Sequence, residues 1–390
     1  MRRIGGVVLG LAAVAASAVA WACRGSDIVG SNPFNGPDDP ALVSQGQRIF
    51  RFDTFGNETY WTDTLHMNQV VEQVDPTTAL AVGLKVDADA LPPGILATAD
   101  LKSPATTAAL LKLNAVVGVK ATVDGSGHIT RFGITCALCH STVDNSVAPG
   151  IGHRLDGWPN HALNVGAIVA LSPSVPQSLK DVLNTWGPGK YDARINFDGI
   201  NGPVVIPPAY GLANVALETY TGEGPISYWN AYVAVTQMHG HGSFKDDRLH
   251  LNIVANPDSV TPKLPALRSY QHSIGKPAIP ASLFDLAAAA RGKAIFEGVA
   301  KCSVCHAGVT YTDDALHLPS ETGMDPLWAN RGTTKRYRTT PLRGLVFHAP
   351  YFHDGSASTL DAVVEHYNGF LKLGLTGQQK ADLVQYLRSL

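Results

Sequence analysis

The chain has 390 residues, 45% of them hydrophobic, which is room for two or three domains with real cores. Thirty Lys and Arg against 32 Asp and Glu leave a formal net charge of -2, which argues against a nucleic-acid binder, since that needs a basic face. With 38 Gly and 25 Pro, long ordered loops are expected rather than a plain helical bundle.

The first 22 residues read as a signal peptide. Arg2 and Arg3 form a positive start, Ile4 to Ala16 is apolar but too short to span a bilayer, and Ala18-Val19-Ala20 offers a cleavage site. Export to the periplasm, or to the outer face of a bacterial membrane, is expected. Cys23 follows Ala20-Trp21-Ala22, similar to a lipoprotein cleavage site except at Trp21 and Ala20. A lipid anchor there would be the chain's one attachment to a membrane, against removal of Cys23 with the signal.

Further along, Leu42 to Phe50 has helical spacing and contains Gly46-x-x-Ile-Phe50. Thr106 to Leu113 also looks helical, and Val119–Val123 and His128–Ile134 alternate around Asp124-Gly-Ser-Gly127 as a hairpin does. The hairpin delivers the chain to Cys136-Ala-Leu-Cys139-His140. A loop-rich stretch follows, with turn signals at Pro188-Gly189 and Pro207-Pro208, and Leu264 to Pro280 reads as a linker. Ser282 to Phe296 is helical, repeats the pattern as Gly292-x-x-Ile-Phe296, and runs into Cys302-Ser-Val-Cys305-His306. Two helices close the chain, Thr359–Tyr367 and Thr376–Leu390, with Thr376 as an N-cap.

Cys-x-x-Cys-His places two thiols and an imidazole on one side of a ring, which is what covalent haem attachment requires. Two such motifs predict two c-type haems, attached at Cys136 and Cys139 and at Cys302 and Cys305, with His140 and His306 as proximal iron ligands. Zinc is the main rival, but a zinc ribbon brings its pairs within about 15–20 residues, whereas these lie 166 apart (302 minus 136). A redox disulfide needs neither the histidine nor the duplication. Cys136 comes 86 positions after Phe50, whereas Cys302 comes six after Phe296, so the first domain is read as interrupted.

Residues 340–368, TPLRGLVFHAPYFHDGSASTLDAVVEHYN, resemble the C-terminal segment of bacterial di-haem cytochrome c peroxidases and of the related methylamine dehydrogenase maturation enzyme. Residues 46–65 look more like the di-haem rubber oxygenases of the same superfamily. The resemblance implies Tyr367 as distal ligand of the second haem, with His366, His348 and His353 as rivals. It implies His153, in Ile151-Gly-His153, for the first haem. Met238, His239 and His241 compete with it. Where the peroxidases have a Glu-Met pair, the matching segment reads Gln237-Met238, and glutamine cannot act as a general base. Trp229 is the candidate inter-haem tryptophan and Trp186 the second; a family calcium ion would fall at Asn160.

The fold expected is mainly α: two cytochrome c-type helical haem domains with long loops and a small inserted β-hairpin. The domains span 41–263, with the insertion at about 53–133, and 282–390, joined by a linker at 264–281. The function expected is electron transfer as a peroxidase-like oxidoreductase acting on peroxide or dioxygen, with a redox protein as donor or acceptor. A pure electron carrier with both irons six-coordinate is the alternative. A haem-bearing docking or sensor module is a third class, supported by the insertion alone.

Overall fold

In a computed structural model, residues 39–390 are described; the export segment and Cys23 lie outside them. The described residues are 42% helix and 11% strand, the strands among them occurring only as short two-stranded pairs. No described helix is long and apolar enough to cross a membrane.

Two helix pairs organise the chain, and they are built alike. Pro40–Phe52 is started by Asp39, whose carboxylate accepts the Ala41 N–H at 2.9 Å, with Pro40 as its first residue. It packs on Leu264–Ser273. A Cβ added at Gly46 would stand 1.9 Å from the Ala266 carbonyl oxygen, so only glycine lets the two backbones approach this closely. One turn later Phe50, fully buried, meets the Tyr270 ring edge-on at 5.5 Å. The second pair repeats each contact. Leu286–Glu297 packs on Gly377–Arg388, a Cβ added at Gly292 would stand 2.0 Å from the Asp382 carbonyl oxygen, and Phe296 meets Tyr386 edge-on at 5.2 Å. The GxxIF repeat is therefore a helix-crossing motif used twice.

This corrects the expected linker. Residues 264–273 form the partner helix of the first pair, buried through Leu264, Ala266, Leu267 and Tyr270. Pro265 falls in the first turn of this helix, where proline is tolerated because its missing N–H would have no helical partner.

The segment between the opening helix and the first motif carries its own structure. Helices Met67–Val71, Pro76–Ala81, Ile95–Thr98 and Pro104–Lys112 lead into the hairpin Val119–Val123/Ile129–Ile134, whose turn is closed by Asp124 accepting from the Ser126 and His128 N–H groups. These elements and the first motif share a hydrophobic cluster that includes Trp61, Leu110, Phe132 and Leu138. A second cluster, around Phe50, Tyr232 and Met238, also takes in Trp328, Ala329 and Tyr337 from beyond the second motif. A third is drawn entirely from residues 296–390. The described residues thus form one compact unit, with the 328–337 segment interlocked into the first half.

At the C-terminus, Thr359 caps Leu360–Phe370. Thr376 and Gln379 form a reciprocal capping box on the last helix.

Candidate functional site

Each Cys-x-x-Cys-His motif is held by backbone, not by other side chains. In the first, Ala137–His140 makes a single helical turn with Ala137 and Leu138 buried. The His140 carbonyl accepts from the Gly157 N–H and the Cys139 carbonyl from the Asn160 N–H, both at 2.8 Å. His140 Nδ1 lies 3.1 Å from the Pro207 carbonyl oxygen, so Nδ1 carries the proton and Nε2 keeps its lone pair. Burial lowers the imidazole pKa to about 4, which keeps it in the neutral form a metal needs.

The second motif reaches the same state by a different route. Cys302–Val304 is a tight turn, and His306 Nδ1 lies 3.1 Å from the Tyr311 carbonyl oxygen. Burial again lowers its pKa. All four cysteines are free thiols. Burial pushes Cys136 and Cys139 up to about 12, and Cys302 up to about 11. Paired thiols and a neutral imidazole with its Nε2 free fit thioether-bound haem.

Around the first motif the structure gathers the 237–239 turn and the inserted segment. Met238 is buried in the cluster against which Cys136 packs. Its carbonyl accepts from Trp61 Nε1 at 3.1 Å, and His239 stacks on Tyr60 with ring centroids 3.6 Å apart. Gln237 is buried. Its Oε1 accepts the Tyr191 hydroxyl at 2.7 Å, and its Nε2 donates to Thr236 Oγ1 at 3.0 Å. Tyr191 shares a cluster with Cys139; burial first, then the Cys139 thiol, raises its pKa. His153 is elsewhere: it is exposed, with Nδ1 2.8 Å from Asp89 Oδ1, a pairing that raises its pKa. His241 is exposed as well.

Around the second motif, Tyr367 is half-buried and its hydroxyl has no hydrogen-bond partner among the described residues. Burial pushes it up to about 12, with Cys302 and Cys305 both close enough to disfavour the phenolate further. Its rivals each have a ring nitrogen engaged by protein. His366 Nε2 is 3.0 Å from the Thr322 carbonyl, His348 Nε2 2.6 Å from the Tyr210 hydroxyl, and His353 Nε2 3.0 Å from the Tyr337 hydroxyl.

Trp229 donates to the Glu223 carbonyl at 2.7 Å beneath the Arg194 guanidinium, and Trp186 donates to Asn201. Neither reaches the 340s loop. Trp158 does: its ring lies 4.7 Å from Phe347 and 5.8 Å from Tyr210, one residue beyond the glycine that holds His140. Asn160 is buried, with Nδ2 donating to the Gly83 carbonyl and Oδ1 unpartnered. Trp158, Tyr60 and Tyr191 were missed by sequence reasoning, since isolated aromatics in loops carry no periodicity.

No family model matches the chain. Among curated proteins it is similar to methylamine utilization protein MauG of Methylorubrum extorquens, 38% identical over 86 residues, covering 20% of this chain and 24% of that protein. It is also similar to cytochrome-c peroxidase IdrP1 of Denitromonas iodatirespirans, 30% identical over 151 residues, covering 27% and 40%. MauG of Methylophilus methylotrophus is 31% identical over 121 residues, covering 26% and 36%. The chain thus spans about a quarter to two fifths of the length of the curated relatives it matches. Among solved structures, hydrazine synthase of Kuenenia stuttgartiensis aligns with a TM-score of 0.34 at 18% identity, over 48% of this chain and 73% of that one. A MauG-like protein associated with microbial copper homeostasis aligns with a TM-score of 0.27 at 21% identity, over 34% and 56%. Both scores are below those of a shared whole-chain fold.

Proposed function

We propose that this homologue of MauG and the di-haem cytochrome c peroxidases is an exported di-haem c-type cytochrome working as a peroxidase-like oxidoreductase. The observation that carries the reading is the duplicated local chemistry. Two Cys-x-x-Cys-His turns each present free thiols and a histidine whose Nδ1 is committed to a backbone carbonyl. Cys136, Cys139 and His140 hold one haem, and Cys302, Cys305 and His306 the other, in two cytochrome c-type modules. When bound, the haems supply one-electron redox irons and, at an open axial position, a place for peroxide or dioxygen.

The chain's own groups assign the two ends different tasks. Val304, 71% exposed, and Val309, 90% exposed, give the second motif an apolar rim on which a redox protein can dock. The first motif is enclosed by the inserted segment, so this is the end at which water is excluded from a reacting oxidant. Trp158, Phe347 and Tyr210 provide an aromatic bridge between the residues that hold His140 and the loop that leads to His353. Tyr367, close to Cys302 and Cys305, would be the residue to hold the second iron together with His306. At the first iron, Met238 closes the site or leaves it open, while the His153 carried over from the family is engaged at the surface with Asp89. Gln237, locked by Tyr191 and Thr236, positions its neighbours without exchanging a proton. The buried Oδ1 of Asn160 is the oxygen available to a calcium ion.

The electron-carrier reading is favoured by one observation, the burial of the Met238 thioether within the first motif's own cluster. Low-temperature electron paramagnetic resonance separates the two, using oxidised and half-reduced protein with and without cyanide. A high-spin ferric signal converted by cyanide establishes an open iron. Two low-spin signals indifferent to cyanide in both states sink the peroxidase reading.

A further inference from the structure

Arg338 is a half-buried cation with no salt-bridging carboxylate among the described residues. Its Nη1 donates to the Leu217 carbonyl, its Nε is sealed from solvent with no partner, and no carboxylate forms a salt bridge with it. Other shielded guanidiniums of the described residues are neutralised: Arg154 by Asp87, Arg194 by Glu223, Arg331 by Asp192 and Asp198. Desolvation lowers the Arg338 pKa to about 10, against the weaker pull of Tyr220, Glu218 and Asp314. An uncompensated buried charge is among the costliest features a fold can hold, so a permanent residue here implies a permanent partner.

Its position says which. Arg338 sits on the antiparallel pair Leu316–His317/Tyr337–Arg338, opposite Leu316. The next residues form the strap beside His306: the Thr339 carbonyl accepts from Thr312 Oγ1 at 2.7 Å, and the Thr340 backbone reaches the His306 imidazole. Five residues on, Arg343 donates to the Gly211 and Ala213 carbonyls and again has no carboxylate. The strap that runs past the second proximal histidine therefore presents two guanidiniums with no salt-bridging carboxylate among the described residues.

We propose that Arg338 is the counter-charge of a propionate carboxylate on the haem at Cys302–His306. This rests on the haem reading of that motif. The pairing keeps the propionate ionised and its positive charge disfavours ferric iron. Removing the guanidinium lowers the second haem's midpoint potential. It also lets the propionate titrate at ordinary pH, so that the potential falls as pH rises.

The experiment is potentiometry of the full-length holoprotein and of Arg338→Leu, Arg338→Gln and Arg338→Lys, with covalent haem counted by pyridine haemochrome. The expected result is a midpoint independent of pH between roughly pH 5 and 8 in the unmodified protein and in Arg338→Lys. The two neutral variants show a lower, pH-dependent midpoint at the second haem, with both haems retained. Reduced-minus-oxidised infrared spectra of the unmodified protein provide a reading that needs no variant: no protonated-carboxyl band emerges down to about pH 5. Unchanged midpoints in both neutral variants overturn the proposal, as does a shift confined to the first haem. An Arg338-dependent midpoint shift on adding acetate or phosphate to the unmodified protein overturns it too, making the partner a free anion. Failure of the haem reading is distinguishable, because the unmodified protein would then lack the second covalent haem altogether.

Discussion

The two Cys-x-x-Cys-His regions share their framework and differ in their cover. Both follow a glycine that lets two helices touch backbone to backbone, a phenylalanine set edge-on to a tyrosine, and a histidine tied through Nδ1 to a carbonyl. Yet Leu138 is 8% exposed and Val304 71%. The first motif lies under a helix-and-hairpin segment inserted ahead of it; the second follows its helix after a single turn and stays at the surface. Attachment is thus a local property, carried by a short run of residues. What the iron can meet is a tertiary one, set by whether anything is folded over the motif.

The largest effect expected from breaking this comparison is loss of a cofactor. Cys136→Ala with Cys139→Ala removes one covalent haem, and Cys302→Ala with Cys305→Ala removes the other, by pyridine haemochrome and intact mass. Retention of both haems in either double variant ends the account. The first pair also lowers folded yield more, since its turn is core whereas the second is rim.

The helix crossings come next. Gly46→Val and Gly292→Val each drive a side chain into a carbonyl oxygen that a Cβ would approach at 1.9 and 2.0 Å. A destabilisation of about 2–4 kcal/mol is expected from each, read by denaturant unfolding. Equal losses would show that the two crossings are equivalent; a silent Gly46→Val would show that the insertion, not the crossing, holds the first half together.

At the second iron, Tyr367→Met raises the midpoint potential, because thioether favours ferrous iron where phenolate favours ferric. An unmoved potential and spin state would return Tyr367 to the role of an ordinary helix residue.

The smallest effect concerns pH. His348, between Tyr210 and His161, is held neutral by burial, with a pKa of about 4 in the folded protein against about 6.5 when unfolded. The unfolded chain therefore binds more protons in that window, and stability is lost as pH falls from about 6.5 toward 4, by an amount on the order of 1–3 kcal/mol. His348→Asn should flatten that limb of the stability profile. A curve that keeps its slope would assign the titration to another group.

Much of this protein was legible in its sequence. The turns that carry the two Cys-x-x-Cys-His motifs, the inserted hairpin, the closing helices with the Thr376 cap, and the doubled GxxIF all follow from short-range chemistry, in which neighbouring residues alone satisfy the geometry. What tertiary structure decided involves residues far apart in the chain. Leu264–Ser273 is a helix where a linker is expected, because it is stabilised by the face it buries on residues 40–52. His153, chosen by family position, is exposed and pairs with Asp89, 64 residues upstream. Tyr191 meets Gln237, Trp158 meets Phe347, and Trp328 enters the first core only through folding. Residue type fixes what a side chain can do; long-range packing selects its partner, and with it the chemistry available.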